Sequence, residues 1–224
     1  MPVLPTTSGR LGRGFGFGWN RARTRQDQLH GGQDFVAPEG TPIRTPIRGI
    51  VELVSTDAGQ AVTVAQAKTG QVGRVRGLNG YGNVVVLRHD SMSIPGLPAT
   101  FWTSYNHLSA ISPLRAGQRV EEGTVLGLAG RTNNGQFAGM GAHLHFELRR
   151  RPYPGSYDRD TVDPDILWRA LGLRNTRPGL GDYEPPPETD ENIDISPKKS
   201  NVPIWPIIGG CALLLFVLIG GTRD

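Results

Sequence analysis

Gly141-Ala-His143-Leu-His145-Phe-Glu-Leu-Arg149 is the stretch on which the reading of this chain turns. Residues i and i+2 of a β-strand project to the same face. The Phe146-Glu-Leu148 continuation is strand-like, so the imidazoles of His143 and His145 stand side by side. One member of such a pair can bind a metal through a ring nitrogen while its neighbour handles protons. Working outward, apolar runs broken by Gly, Pro and Asn mark further strands at Gly49 to Val54, Ala61 to Ala65, Asn83 to Arg88, Thr100 to Tyr105 and Thr124 to Ala129. One short helix is expected after them. Asp163 caps it, Pro164 suits its first turn, Ile166, Leu167 and Leu171 supply its apolar side, and Gly172 ends it.

Composition agrees with turn-rich β structure. Of 224 residues, 31 are Gly and 18 Pro, while 37% hydrophobic and 20% charged content is ordinary for a globular chain with a core. The single cysteine, Cys211, lies in an apolar run, which excludes an intramolecular disulfide and a Cys-based zinc site. Net charge is +4, but five basic residues face seven acidic ones from Leu173 onward, leaving about +6 on residues 1 to 172. Lysine occurs only at Lys68, Lys198 and Lys199, so this charge is nearly all arginine, suited to polyanions such as anionic glycans or lipid head groups. Zinc-finger spacing, aromatic ribonucleoprotein motifs and basic heptad helices are lacking, so nucleic acid is not an expected partner.

Four of the five histidines fall in three short clusters, His30-Gly-Gly-Gln-Asp34, Tyr105-Asn-His107-Leu-Ser109 and His143-Leu-His145. A catalytic zinc takes three nitrogen or oxygen ligands, keeps a fourth position for water, and works beside titratable groups. The two glycines after His30 allow that segment to bend and bring His30 and Asp34 onto one ion. His107 follows a strand and can present another imidazole at its end. His89 stands beside a charged pair where a strand leaves off, and reads as a turn or strand-end histidine, not a ligand.

These residues resemble the lysostaphin-type (LytM-like) zinc metallopeptidases, which cut peptide bonds in bacterial peptidoglycan. The resemblance runs through Gly14-Phe-Gly16, His30-Gly-Gly-Gln-Asp34-Phe-Val-Ala-Pro-Glu-Gly40, Gly49-Ile-Val51, Gly80-Tyr-Gly-Asn83, Tyr105-Asn-His107-Leu-Ser109, Gly141-Ala-His143-Leu-His145-Phe-Glu-Leu148 and Val162-Asp-Pro164. It implies a mostly β, antiparallel-sheet domain with a loop-lined groove. It also implies His30, Asp34 and His145 as ligands of Zn2+, with His107 and His143 as the pair that handles the water proton and the oxyanion. Gly130 to Gly141 and Arg74 to Gly82 are longer and more glycine-rich than that pattern, which bears on cleavage specificity.

The tail carries a second signal. Residues 173 to 201 are acidic and proline-rich, the composition of an extended spacer. Val202 to Thr222 then runs without a charge, and as a helix would span about 31 Å, the thickness of a bilayer core. The expectation is a peptidase domain at 1 to 172, a linker, and a single-pass transmembrane helix at 202 to 222 partnered with the lipid bilayer. Met1 to Gly18 does not read as a signal peptide. Lys198 and Lys199 before the apolar run favour a domain on the cytoplasmic side. A phage virion with a membrane reconciles that topology with a cell-wall substrate. Two other readings compete: a D-Ala-D-Ala-type zinc carboxypeptidase or dipeptidase, whose wider His/Asp spacing and Trp-His element are not evident, and a membrane-anchored structural or adaptor protein that binds glycan, with activity secondary or absent.

Overall fold

Val84, Val85, Val86 and Leu87 are all fully buried, because the strand Asn83–His89 runs through the middle of a sheet that is covered on both faces. Alternation sends Val85 and Leu87 into one apolar cluster with Phe35, Val51, Phe101, Tyr105, Phe146, Leu148 and Trp168. Val84 and Val86 enter a second cluster with Leu53, Val62, Ala67, Val75 and Tyr153. Burying each large apolar side chain contributes about 1.5–3 kcal/mol. The computed structural model describes residues 4–6, 18–19, 29–153 and 157–173.

The main sheet has seven strands. In spatial order they are Arg119–Val120, Gly49–Ser55, Asn83–His89, Phe101–Leu108 and His143–Arg149, and the last is flanked by Thr161–Val162 along one part and Gln33–Val36 along another. Every pairing in it is antiparallel. A second antiparallel sheet joins Ala110–Ile111, Val125–Leu128 and Pro42–Arg44. The mostly β, antiparallel architecture is therefore observed.

Two local expectations change. Ala61 to Ala65 does not continue as a strand: Ala61–Val62 pairs in parallel with Arg74–Val75, and a helix takes over at Val64–Lys68. The reason is a capping box in which Thr63 Oγ1 accepts from the Gln66 amide and Gln66 Oε1 accepts from the Thr63 amide. The final helix spans Asp165–Ala170 with Pro164 at its N-cap, one residue later than a cap at Asp163 suggests. Asp163 still acts at its start, since its Oδ1 accepts from the Asp165 amide at 2.9 Å. Gly172, at φ +67°, follows its end.

Among the described residues no helix is long and apolar enough to cross a membrane. The expected span at Val202 to Thr222, and the linker before it from residue 174 on, lie outside the described residues.

Candidate metal centre and proton-handling pair

The strand His143–Arg149 lies between Gln33–Val36 and Phe101–Leu108, and its register sets the site. His145 is opposite Asp34 on one side and Asn106 on the other, and His143 is opposite Val36. Leu144, Phe146 and Leu148 point into the core at 0% exposure, which leaves His143 and His145 on the other face. Residues opposite each other in antiparallel strands share a face, so the register brings the Asp34 carboxylate onto the imidazole of His145.

His30, Asp34 and His145 each offer a ligand atom, and these atoms lie within 4.8 Å of one another. His145 Nδ1 is 2.8 Å from Asp34 Oδ1, and His30 Nε2 is 3.3 Å from the same oxygen. The two rings meet edge-on with centroids 4.9 Å apart. Gly32 allows this approach: a Cβ there would stand 2.7 Å from the His145 ring and 2.5 Å from the Phe146 carbonyl oxygen. The glycine pair thus serves close packing as well as bending.

Electrostatics at this point call for a positive charge. Burial alone would raise the Asp34 carboxyl, but hydrogen bonds and charge from His145 and His30 outweigh it and hold the group far below the usual carboxylate range. Burial alone would lower His145, yet Asp34 on one ring nitrogen and Glu147 on the other push it up to about 9. A cation shared by two imidazoles and a carboxylate fits this place, and that donor set suits zinc.

His107 reaches the site through a β-bulge. Asn83 pairs with Leu108 and Val85 with Tyr105, so Asn106 and His107 together oppose Val84 alone. His107 adopts φ +64°, an uncommon conformation for a non-glycine residue. Simple alternation from Asn106 would turn it toward the core; the bulge turns it instead to within 4.7 Å of His143 and 5.8 Å of His145, centroid to centroid. Backbone carbonyls hold both free imidazoles. His107 Nδ1 donates to Thr132 O at 2.8 Å, and His143 Nδ1 donates to Gly141 O at 2.8 Å. Each therefore presents Nε2, and that of His143 lies 3.9 Å from Asp34 Oδ2. Burial, with charge on His145 and His143, lowers His107 to about 3, so it is neutral at pH 7.

The long segment after Gly130 supplies those carbonyls and is tied to its neighbours. The Gly82 amide donates to Asn134 Oδ1 at 3.1 Å, the Asn83 amide to Thr132 Oγ1 at 2.9 Å, and the Asn134 amide makes a short bond to Asp57. Loops 77–82 and 130–141 thus flank the site, with Tyr81 half-buried and Phe137 exposed beside it. Sequence reasoning missed Thr132 and Gly141, whose carbonyls leave no residue signature. It also missed Glu147, which continuing the period of two beyond His145 would have found.

His89 stands apart. It is buried, stacks on Phe101 with centroids 4.9 Å apart, donates from Nδ1 to Arg48 O and accepts at Nε2 from Thr103 Oγ1, both at 2.8 Å. It is the last residue of the strand Asn83–His89, the strand end that the sequence suggested, and its ring is buried in the core.

Residues 54–164 match the family model described as Peptidase family M23, a span that takes in His107, His143 and His145 and begins after His30 and Asp34. The DD-carboxypeptidase/endopeptidase Mpg of Neisseria meningitidis serogroup B is 33% identical over 127 residues, 57% of this chain and 21% of that protein. The peptidoglycan DD-endopeptidase ShyA of Vibrio cholerae is 32% identical over 131 residues, 58% of this chain and 23% of that protein. The chain spans about a fifth of the length of these curated relatives. Among solved structures, the catalytic domain of the antimicrobial peptidase lysostaphin from Staphylococcus simulans is 22% identical, covering 71% of this chain and 91% of that one, with a TM-score of 0.45. The family match and these relatives give one conclusion: residues 54–164 carry a peptidase family M23 domain.

Proposed function

We propose that this chain is a zinc-dependent peptidoglycan hydrolase that cuts DD peptide bonds in the stems or cross-links of the cell wall. The observation that carries the reading is the convergence of His30, Asp34 and His145 within 4.8 Å, with two further imidazoles beside them. The names of the Neisseria and Vibrio relatives support the DD bond as substrate class and peptidoglycan as partner.

His30, Asp34 and His145 would hold zinc, which when bound supplies Lewis acidity and acidifies water at the site. His107 enters neutral with its Nε2 lone pair toward the site, and His143 likewise has Nδ1 bound to a carbonyl and Nε2 toward the site. Either can accept a proton at Nε2, and once protonated it becomes an N–H donor for the developing oxyanion or the leaving amine. Asp34 Oδ2 lies 3.9 Å from His143 Nε2, on the side of the ring that faces the site. The buried setting strengthens each of these interactions relative to water.

The placement we propose is at a membrane, supported by the charge-free run Val202 to Thr222 behind a proline-rich spacer. Digestion of defined peptidoglycans by the purified chain, with mass spectrometry of the fragments, tests the chemistry. New termini at a DD peptide bond support it. Reducing sugar ends, or glycan binding without product, refute it.

A further inference from the structure

His145 is held from behind by a closed ring of buried polar groups. Glu147 is fully buried, with Oε1 3.3 Å from His145 Nε2. Its other oxygen, Oε2, accepts from Arg149 Nη1 at 3.0 Å and from the Tyr153 hydroxyl at 2.5 Å. The Arg149 guanidinium in turn lies 4.1 Å over the Tyr153 ring. Tyr153 Oη is 3.1 Å from Ser104 Oγ, and Asn106 Nδ2 donates both to Ser104 Oγ and to the His145 carbonyl, each at 3.0 Å. The circuit begins and ends on His145.

Burying a carboxylate is costly unless it is paired and hydrogen-bonded. Here both strong donors go to Oε2, which leaves Oε1 for His145 alone. A neutral imidazole carries one proton; where a cation replaces the Nδ1–H that donates to Asp34 at 2.8 Å, the remaining proton is on Nε2 and is given to Glu147. We infer that Glu147 is a positioning residue that fixes the ring orientation and tautomer of His145 for metal coordination through Nδ1, with Arg149 and Tyr153 holding its carboxylate in place. The inference rests on the metal reading of the site proposed above.

The test is made on the full chain, with zinc affinity measured by competition with a chromophoric chelator and the cobalt-substituted protein followed by its visible absorption bands. Glu147→Leu removes the acceptor at similar size, and should weaken zinc by about 10- to 100-fold and shift the cobalt bands. Glu147→Gln keeps an acceptor for Nε2–H and should recover most of that loss. Tyr153→Phe keeps the Glu147–Arg149 pair, and should shift both readouts in the same direction by less. A Glu147→Leu protein that is folded and binds zinc within about twofold of the parent, with unchanged cobalt bands, overturns the inference. Should Glu147→Leu fail to fold, Tyr153→Phe decides: unchanged affinity together with unchanged bands overturns it. A parent chain that binds no zinc would instead sink the functional reading on which this one rests.

Discussion

Replacing Gly32 by alanine adds one methyl group at the most confined point of the site. Its Cβ would lie 2.7 Å from Cε1 and from Nε2 of His145, and 2.5 Å from the Phe146 carbonyl oxygen. Non-bonded carbons settle at 3.5–4.0 Å, so about 0.8 Å or more must be found by movement. Phe146 is paired on both sides, with Gln33 and Tyr105, which anchors its carbonyl in the ladder. The displacement therefore falls on the His145 ring or on the Gly31-Gly32 segment that carries His30. Overpacking on this scale costs about 1–3 kcal/mol of stability. A misplacement near 1 Å at a reacting centre costs about 10²-fold in rate. Urea unfolding of the metal-free protein, chelator competition for zinc and turnover of a cross-linked muropeptide measure the three effects separately. Parent-like zinc affinity and turnover in a folded Gly32→Ala protein would refute the argument that this glycine exists to admit the His145 ring.

Three further outcomes are expected. Alanine at His30, Asp34 or His145 should lower zinc occupancy, whereas His107→Ala and His143→Ala should keep zinc and lose about 10²- to 10⁴-fold in rate; loss of zinc from either of the latter would show the division of roles to be wrong. Burial, partly offset by the Arg48 carbonyl and Asp90, lowers His89 to about 4 against 6.5 for an ordinary histidine. Its folded pKa is depressed, so its contribution is present above pH 6.5 and is lost as pH falls toward 4, about 2 kcal/mol between pH 7 and pH 5. Urea unfolding at those two pH values should show a smaller pH penalty in His89→Gln than in the parent, and equal penalties would contradict it. Finally, the intact chain should partition with membranes through Val202 to Thr222, and recovery of the intact chain in the aqueous phase without detergent would remove the anchor.

The strands Gly49–Ser55, Asn83–His89 and His143–Arg149 were legible because apolar runs and period-two patterns are local properties of the chain. Ala61 to Ala65 misled because Thr63 and Gln66 form a capping box, a side-chain to backbone exchange that an apolar run does not reveal. The small pairing strands were also hidden. Pro42–Arg44 and Arg119–Val120 are too short to carry a period and exist only through partners that are distant in sequence.

The same division runs through the site. His143 and His145 share a face by the geometry of an extended chain, and the residue types at His30 and Asp34 suit a metal wherever they fold; these properties were set by sequence alone. Which groups meet depends on register. Asp34 reaches His145 across a ladder joining residues 111 positions apart. His107 faces His143 because a bulge overrides alternation. Thr132 and Gly141 contribute carbonyl oxygens that every residue possesses, and Glu147, which meets His145 and Arg149 by the period of two, gains its third partner only when Tyr153 folds back on the strand. Local pattern fixes the direction in which a side chain leaves its own strand, whereas distance to another strand's side chain is a property of pairing, and pairing is decided by the tertiary structure.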